Sequence, residues 1–343
     1  MSRALQLAAL GRQDASPNPM VGAVIVCDDK IIGEGWHRRC GEGHAEVNAI
    51  ASVKNPELLK RATMYVTLEP CSHYGKTPPC AKLIIDNKIP HVVVATVDPF
   101  EQVSGRGIEM LRQAGINVTV GVLEEEARRL NRRFFCAHIL KRPFITLKWA
   151  QSADGYIDRK RALSSPPAKF STPLSSVAVH RLRSLHDAIL TTANTVIADN
   201  PTLNVRLWDG RQPIRVVIDR KGILIPDSSV FSDTGQRTLL FTSAPLVLPG
   251  VETIEIPSDC SFQAILQRLY TMGITSVLVE AGSTFLQHAI DNQLWDTARV
   301  ETAALSLAHE GSVTAPRIPD NAREVSHIML DGNQISCYLP PLK

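Results

Sequence analysis

The sequence predicts an α/β protein built as two domains. Three observations carry this. Short apolar runs of strand type alternate with helical spacings along the whole chain, the pattern of a sheet covered by helices. The 343 residues exceed the roughly 250–300 over which a single core keeps growing. Near the middle, Lys141-Arg142-Pro143 punctuates the chain just before a new apolar run. The expected domains are 1–142 and 143–343.

The elements follow in order. Ala4, Leu5, Ala8 and Ala9 have helical spacing, and Gly11 stops that helix. Residues 21–27 form a buried-type strand, Asp28-Asp29-Lys30 a hairpin turn, and residues 31–36 the returning strand. A helix is expected over 44–53 and a strand over 64–68, ended by Glu69-Pro70. Then come a helix at 80–87, a strand at 91–97, a helix at 107–114, a strand at 118–122 and one charged helix at 124–136. In the second half, strands are expected at 144–149, 188–191, 214–218, 238–241, 252–256 and 276–280. Helices are expected at 174–185, 261–272 and 283–292. Residues 157–173 and 303–320 are rich in Ser, Pro and Ala and read as loops.

Composition narrows the function classes. Apolar residues make up 44% and charged residues 21%, the balance of a globular protein. Seven cysteines is an odd number, which excludes a fully paired disulfide framework. The net charge of +3 lacks the strongly basic balance expected of a nucleic-acid binder. The longest apolar runs fall far short of the roughly 20 residues that span a bilayer. The first residues lack a signal-peptide core, so a cytoplasmic protein is expected, with no membrane and no nucleic-acid partner.

One constellation carries chemistry. His44-Ala45-Glu46 opens a helix, and Pro70-Cys71-Ser72-His73-Tyr74-Gly75-Lys76-Thr77-Pro78-Pro79-Cys80 follows downstream. Zinc takes imidazole and thiolate in a tetrahedral site, and a catalytic site keeps one position for water. His44, Cys71 and Cys80 supply three ligands. Glu46, two residues from a ligand yet not one itself, is placed to move protons, as in zinc nucleobase deaminases. Alone, a His-x-Glu is ordinarily a solvated helix face and a single cysteine a small buried residue; the combination is what is specific. A structural zinc module needs a fourth ligand, for which only His73 lies nearby. His37 and Cys40 also precede His44, but no spacing argument puts them on the metal.

At these residues the chain resembles the bifunctional deaminase/reductase family of riboflavin biosynthesis. The eight-residue filling between Cys71 and Cys80 is similar to that family's own, as are Pro17-Asn18-Pro19-Met20-Val21-Gly22, Ala95-Thr96-Val97-Asp98-Pro99 and Gly105-Arg106-Gly107. The resemblance continues through Lys148-Trp149-Ala150-Gln151-Ser152-Ala153-Asp154-Gly155, His180-Arg181-Leu182-Arg183, the run from Thr195 to Arg206, and Val279-Glu280-Ala281-Gly282. It implies a cytidine-deaminase-like zinc domain followed by a dihydrofolate-reductase-like domain that uses NADPH. It also implies a homo-oligomer, dimer or tetramer, acting on a small phosphorylated pyrimidine. Carried over by position, Asn18, His73, Lys76 and Asp98 contact the deaminase substrate. Arg183, Leu203, Arg206 and Glu280 face the reductase substrate, and Gln151, Thr195, Asp199, Gly282, Ser283 and Thr284 face NADPH. Without the resemblance, Asn18 is a turn residue, Asp98 a strand-end cap and Arg183 a helix surface charge. The second half has no Gly-x-Gly-x-x-Gly; Gly33-Glu34-Gly35 and Gly105-Arg106-Gly107 lack the third glycine. Two other readings stay open: a deaminase whose second domain is a degenerate binding or regulatory module, and a nucleic-acid base deaminase.

Overall fold

The computed structural model describes residues 1–73, 78–100, 104–162, 165–232, 235–244, 246–308 and 312–341. The chain divides into two compact units, Met1–Lys141 and Arg142–Lys343.

The first unit runs α1 (Ser2–Ala8), β1 (Gly22–Cys27), β2 (Lys30–Trp36), α2 (Ala45–Ala51), β3 (Thr63–Val66), α3 (Cys80–Asp86), β4 (His91–Val94), α4 (Arg106–Gln113), β5 (Asn117–Val120), α5 (Glu124–Leu130) and α6 (Arg132–Leu140). Its sheet has the order β2-β1-β3-β4-β5. β1 is antiparallel to β2 and β3, and β3, β4 and β5 are parallel. Asp28 and Asp29 both take positive φ at the β1–β2 hairpin, the conformation a tight primed turn requires. The Gly33-Glu34-Gly35 motif is a packing device: a Cβ on Gly35 would come within 2.3 Å of the Ala49 nitrogen, so α2 lies directly on β2. That close approach fixes the helix that carries His44 and Glu46.

The single charged helix expected at 124–136 is two helices. Asn131 interrupts it with φ −100° and ψ 23°. Its buried side chain accepts from the Met20 nitrogen at 2.8 Å and donates to the Met20 carbonyl at 2.8 Å. This pair of bonds to a segment 111 residues away outweighs helical continuity at one position.

The second unit runs β6 (Phe144–Gln151), β7 (Tyr156–Arg159), α7 (Pro173–Ser184), β8 (Ala188–Thr192), α8 (Ala193–Asp199), β9 (Ile214–Asp219), α9 (Ser229–Ser232), β10 (Thr238–Thr242), β11 (Val251–Glu255), α10 (Phe262–Thr271), β12 (Ser276–Val279), α11 (Ser283–Asp291), β13 (Thr297–Thr302), β14 (Ser312–Thr314), β15 (Arg323–Leu330) and β16 (Asn333–Leu339). Nine strands form one sheet in the order β11-β10-β9-β8-β12-β6-β13-β16-β15. The first seven are mutually parallel, and β16 and β15 close the sheet antiparallel. Apolar residues on both faces of β8, β9, β10 and β12 are buried, as a sheet covered on two sides demands. Two expected loops are corrected: Tyr156–Arg159 and Ser312–Thr314 pair as a small antiparallel sheet. Three strands, β13, β15 and β16, and the short helices α8 and α9 were not expected from the sequence.

Candidate active sites

In the first unit, His44 caps α2 with extended backbone, and Cys80 begins α3. The His44 Nδ1 lies 3.6 Å from the Cys71 Sγ and 3.3 Å from the Cys80 Sγ. All three ligand atoms fall within 4.8 Å of one another. Zn–S bonds of about 2.3 Å and Zn–N bonds of about 2.0 Å at tetrahedral angles put such donors roughly 3.5 Å apart. The donor set therefore fits zinc, with three protein ligands. The Cys80 backbone N–H donates to the Cys71 sulfur at 3.3 Å, a bond that favours thiolate. The Cys71 thiol is pulled down to about 4, first by hydrogen bonding with Cys80 and then by His44; the Cys80 thiol beside it is pushed up. A cation between them is what lets both ionise.

Glu46 is 3% exposed, one half-turn into α2. Burial raises its carboxyl to about 7, with the Cys71 charge adding to the effect. His37, also buried, has both ring nitrogens engaged, at 3.2 Å from the Asn18 Nδ2 and at 3.2 Å from the Gly43 carbonyl. Its ring stands edge-on to His44, with centroids 5.5 Å apart. His37 thus orients Asn18 and supports the metal ligand without joining it. Cys40 is exposed and outside the ligand cluster.

Asp98 is buried just past β4, and burial raises its carboxyl to about 6. It accepts from the Phe100 nitrogen at 2.8 Å. His73 is exposed on the segment that follows Cys71. Lys76 lies outside the described residues.

Sequence reasoning missed Glu69. Its buried carboxylate accepts four backbone N–H groups: Asp98 at 3.2 Å and Gly105 at 2.9 Å on Oε2, Gly107 at 2.8 Å and Ile108 at 3.3 Å on Oε1. Glu69 ties the Cys71 segment to the loop carrying Asp98. Gly107 is required there, because a Cβ would stand 1.9 Å from the Pro70 carbonyl oxygen. The available signal was a glutamate directly before the Pro-Cys of a metal segment.

In the second unit, Arg183, Leu203 and Arg206 line a cavity of about 590 Å³. Glu280 is held on Arg183 by a bidentate pair, Nε to Oε1 at 2.9 Å and Nη2 to Oε2 at 2.8 Å. Burial opposes ionisation of Glu280, but Arg183 and Lys148 outweigh it and bring the carboxyl to about 2. Leu203 is buried at φ 53°, a conformation that costs energy for a branched side chain and is found where a site over-determines it. His180 on the same wall accepts the Arg206 backbone N–H at Nδ1, 3.0 Å away; burial and the arginines lower it to about 4.

A groove of about 750 Å³ is lined by Thr195, Asp199, Gly282 and Ser283. Thr195 and Asp199 are one turn apart on α8, and the Thr195 hydroxyl accepts from the Gly282 nitrogen at 3.2 Å. Asp199 is ion-paired with Arg161. Gln151 and Thr284 do not line the groove; the Gln151 Oε1 accepts the Trp149 indole N–H at 2.8 Å instead.

Lys148 and Ser171 line both spaces. Lys148 is the second residue that sequence reasoning left without a role. Burial lowers its ammonium, while Glu280 and Glu301 raise it in part. A lysine within the apolar run of a central strand was the signal.

Comparison with known proteins agrees with this geometry. The model of the cytidine and deoxycytidylate deaminase zinc-binding region matches residues 1–96, and that of the RibD C-terminal domain matches residues 143–323. The riboflavin biosynthesis protein RibD of Aquifex aeolicus is 41% identical over 304 residues, covering 86% of this chain and 83% of that protein. RibD of Escherichia coli K12 is 37% identical over 357 residues, covering 96% and 95%. The crystal structure of a diaminohydroxyphosphoribosylaminopyrimidine deaminase/5-amino-6-(5-phosphoribosylamino)uracil reductase from Thermotoga maritima superposes with a TM-score of 0.88 at 39% identity, covering 99% of this chain and 97% of that one. Acinetobacter baumannii RibD gives 0.90 at 32% identity, covering 99% and 98%. With a zinc-type donor set in the first unit, two adjoining cavities in the second and this similarity along nearly its whole length, the chain belongs to the RibD family of riboflavin biosynthesis proteins.

Proposed function

We propose that the first unit deaminates 2,5-diamino-6-ribosylamino-4(3H)-pyrimidinone 5′-phosphate and that the second reduces the ribosyl group of the product to ribityl, giving 5-amino-6-ribitylaminouracil 5′-phosphate. The observation that carries the first step is the convergence of His44, Cys71 and Cys80 with Glu46 buried beside them. Zinc supplies Lewis-acid activation of water near neutral pH. Glu46 takes the proton of the attacking water and delivers it to the departing amine, a role suited to a carboxyl near 7. Asn18 offers donor and acceptor to the pyrimidinone edge, and His73, Asp98 and Lys76 complete the substrate contacts.

NADPH supplies the hydride of the second step. Thr195, Asp199, Gly282 and Ser283 position it in the groove, and the substrate occupies the cavity lined by Arg183, Leu203 and Arg206, with Glu280 acting through its ion pair with Arg183. Arg206 reaches the sugar phosphate through its guanidinium fork. Lys148 stands where cavity and groove adjoin, so its ammonium serves as the proton donor to the sugar as it opens. The protein otherwise orients two reactants. Two well-formed adjoining spaces favour a working reductase over a degenerate module.

We further propose a cytoplasmic homo-oligomer; no helix among the described residues is long and apolar enough to cross a membrane. The test of the first step is Glu46→Gln. Ammonia release from the diaminopyrimidinone should fall by roughly 10²–10⁴-fold with zinc content retained. Turnover at the native rate would overturn the assignment.

A further inference from the structure

Charged side chains gather across three neighbouring strands of the second unit. β13 runs parallel to β6 with Arg299 opposite Lys148 and Glu301 opposite Ala150, so Lys148, Arg299 and Glu301 share one face of the sheet. Adjacent strands lie about 4.8 Å apart, which sets two cations side by side. On the other flank of β6, Val279 is opposite Leu147, and Glu280 follows it beside Lys148. Glu280 is already bound in two-point contact to Arg183. His180, on the helix of Arg183, is lowered to about 4 by burial and the arginines, so it is neutral near pH 7. Glu301 is therefore the carboxylate that Lys148 and Arg299 share.

The Glu301 side chain is wholly buried and held on both oxygens. Oε1 accepts from the Asn333 Nδ2 at 2.7 Å, and Oε2 accepts from the Ser171 hydroxyl at 3.0 Å. The same Asn333 nitrogen donates to the Phe170 carbonyl at 2.8 Å. Ser171 lines both the cavity and the groove, as Lys148 does. The Arg299 Nη1 stands 3.9 Å from the Glu301 Oε2 and meets no hydrogen-bond partner among the described residues, so its attraction to Glu301 is electrostatic. Burial opposes ionisation of Glu301, but hydrogen bonds from Ser175 and Asn333 and the charge of Lys148 outweigh it and hold the carboxyl below its ordinary range. The charges act on Lys148 in opposite senses: Glu280 and Glu301 favour its ammonium, whereas Arg183 and Arg299 disfavour it.

We propose that Glu301 is a positioning residue of the second unit: it ties the Phe170–Ser171 wall to β13 and offsets the charge of Arg299, which keeps Lys148 an ammonium where cavity and groove adjoin. The inference rests on the reading of Lys148 as the proton donor of the reduction.

The test is the pH profile of kcat/KM for NADPH oxidation by the full chain with the deaminated ribosyl substrate. Loss of the Lys148 proton should give the wild type an alkaline limb on which the rate falls. Glu301→Gln keeps the wall contacts, since its amide oxygen still accepts from Asn333 and its amide N–H donates to the Ser171 hydroxyl; only the charge is lost. Its limb should move to lower pH, so that the rate at a fixed pH on the limb falls roughly 3- to 10-fold below wild type. Arg299→Met removes the opposing cation and should move the limb to higher pH. A purely structural role gives no such opposite displacements. The double variant Arg299→Met/Glu301→Gln leaves no unpaired arginine should Glu301→Gln alone fail to fold. Its limb should lie below that of Arg299→Met. A limb that stays in place in Glu301→Gln, or in the double variant relative to Arg299→Met, would overturn the inference. If the wild type reduces its substrate with no alkaline limb, the Lys148 reading falls and takes the inference with it. If the limb is present and does not answer to Glu301, only the positioning role falls.

Discussion

Replacing Glu69 by glutamine isolates the carboxylate that braces the deaminase loop. The wild-type side chain accepts two backbone N–H groups on each oxygen. Glu69→Gln keeps one acceptor oxygen and turns an NH₂ toward the other pair, so two of the four bonds are lost and donors face donors. A hydrogen bond to a charged group contributes about 1.5–3 kcal/mol, which makes the expected loss about 3–6 kcal/mol. In a unit of 141 residues that lowers the melting temperature by about 10 °C or more. Hydrogen exchange followed by mass spectrometry gives the local readout. The amides of Asp98, Gly105, Gly107 and Ile108 should lose protection while the β1–β2 hairpin does not. Because the loop carries Asp98, KM for the diaminopyrimidinone should rise more than kcat falls. Unchanged protection at these amides, with melting within about 1 °C of wild type, would refute the bracing role.

Other expectations follow from the same geometry. Chelation of zinc, or Cys80→Ser, should abolish ammonia release and leave NADPH oxidation with the deaminated substrate intact, read by metal analysis and absorbance at the cofactor band. Gly107→Ala should prevent the first unit from folding normally, since the added Cβ meets the Pro70 backbone at 1.9 Å; near-native melting would contradict it. Glu280 has its carboxyl depressed to about 2 from an ordinary value near 4.5. A depressed carboxyl adds stability that is present above 4.5 and lost as pH falls toward 2. The difference amounts to about 3 kcal/mol for the second unit. Acid unfolding of wild type and Glu280→Gln should show that window in the first and not in the second.

Much of this architecture was written locally. Alternation of apolar strands with helices located most elements, and His44, Glu46, Cys71 and Cys80 sit where two helix starts bring them together. What escaped was decided by distant partners. Asn131 breaks a helix because Met20, 111 residues away, completes its hydrogen bonds. Glu69 reads as a strand end until its four amide donors from another loop are in view. β7 and β14 are strands only because they pair with each other. The late hairpin of β15 and β16 presents an almost wholly exposed outer strand, so no buried face marked it in the sequence. Lys148 could not be assigned a role from spacing, since it lies on cavity walls assembled from separate elements. Of the reductase residues carried over by position, Thr195, Asp199, Gly282 and Ser283 line one groove, and the Gln151 side chain meets Trp149.

The central claim is that one chain performs zinc-dependent deamination and then NADPH-dependent reduction. It is tested most directly by following the diaminopyrimidinone ribosyl phosphate by chromatography and mass spectrometry, with and without NADPH. Without NADPH, ammonia should be released and the deaminated ribosyl compound should accumulate. With NADPH, that compound should give way to the ribityl product, one NADPH being oxidised per ammonia released. Failure to release ammonia, or ammonia release with no NADPH consumption by the zinc-replete full chain, would contradict the account.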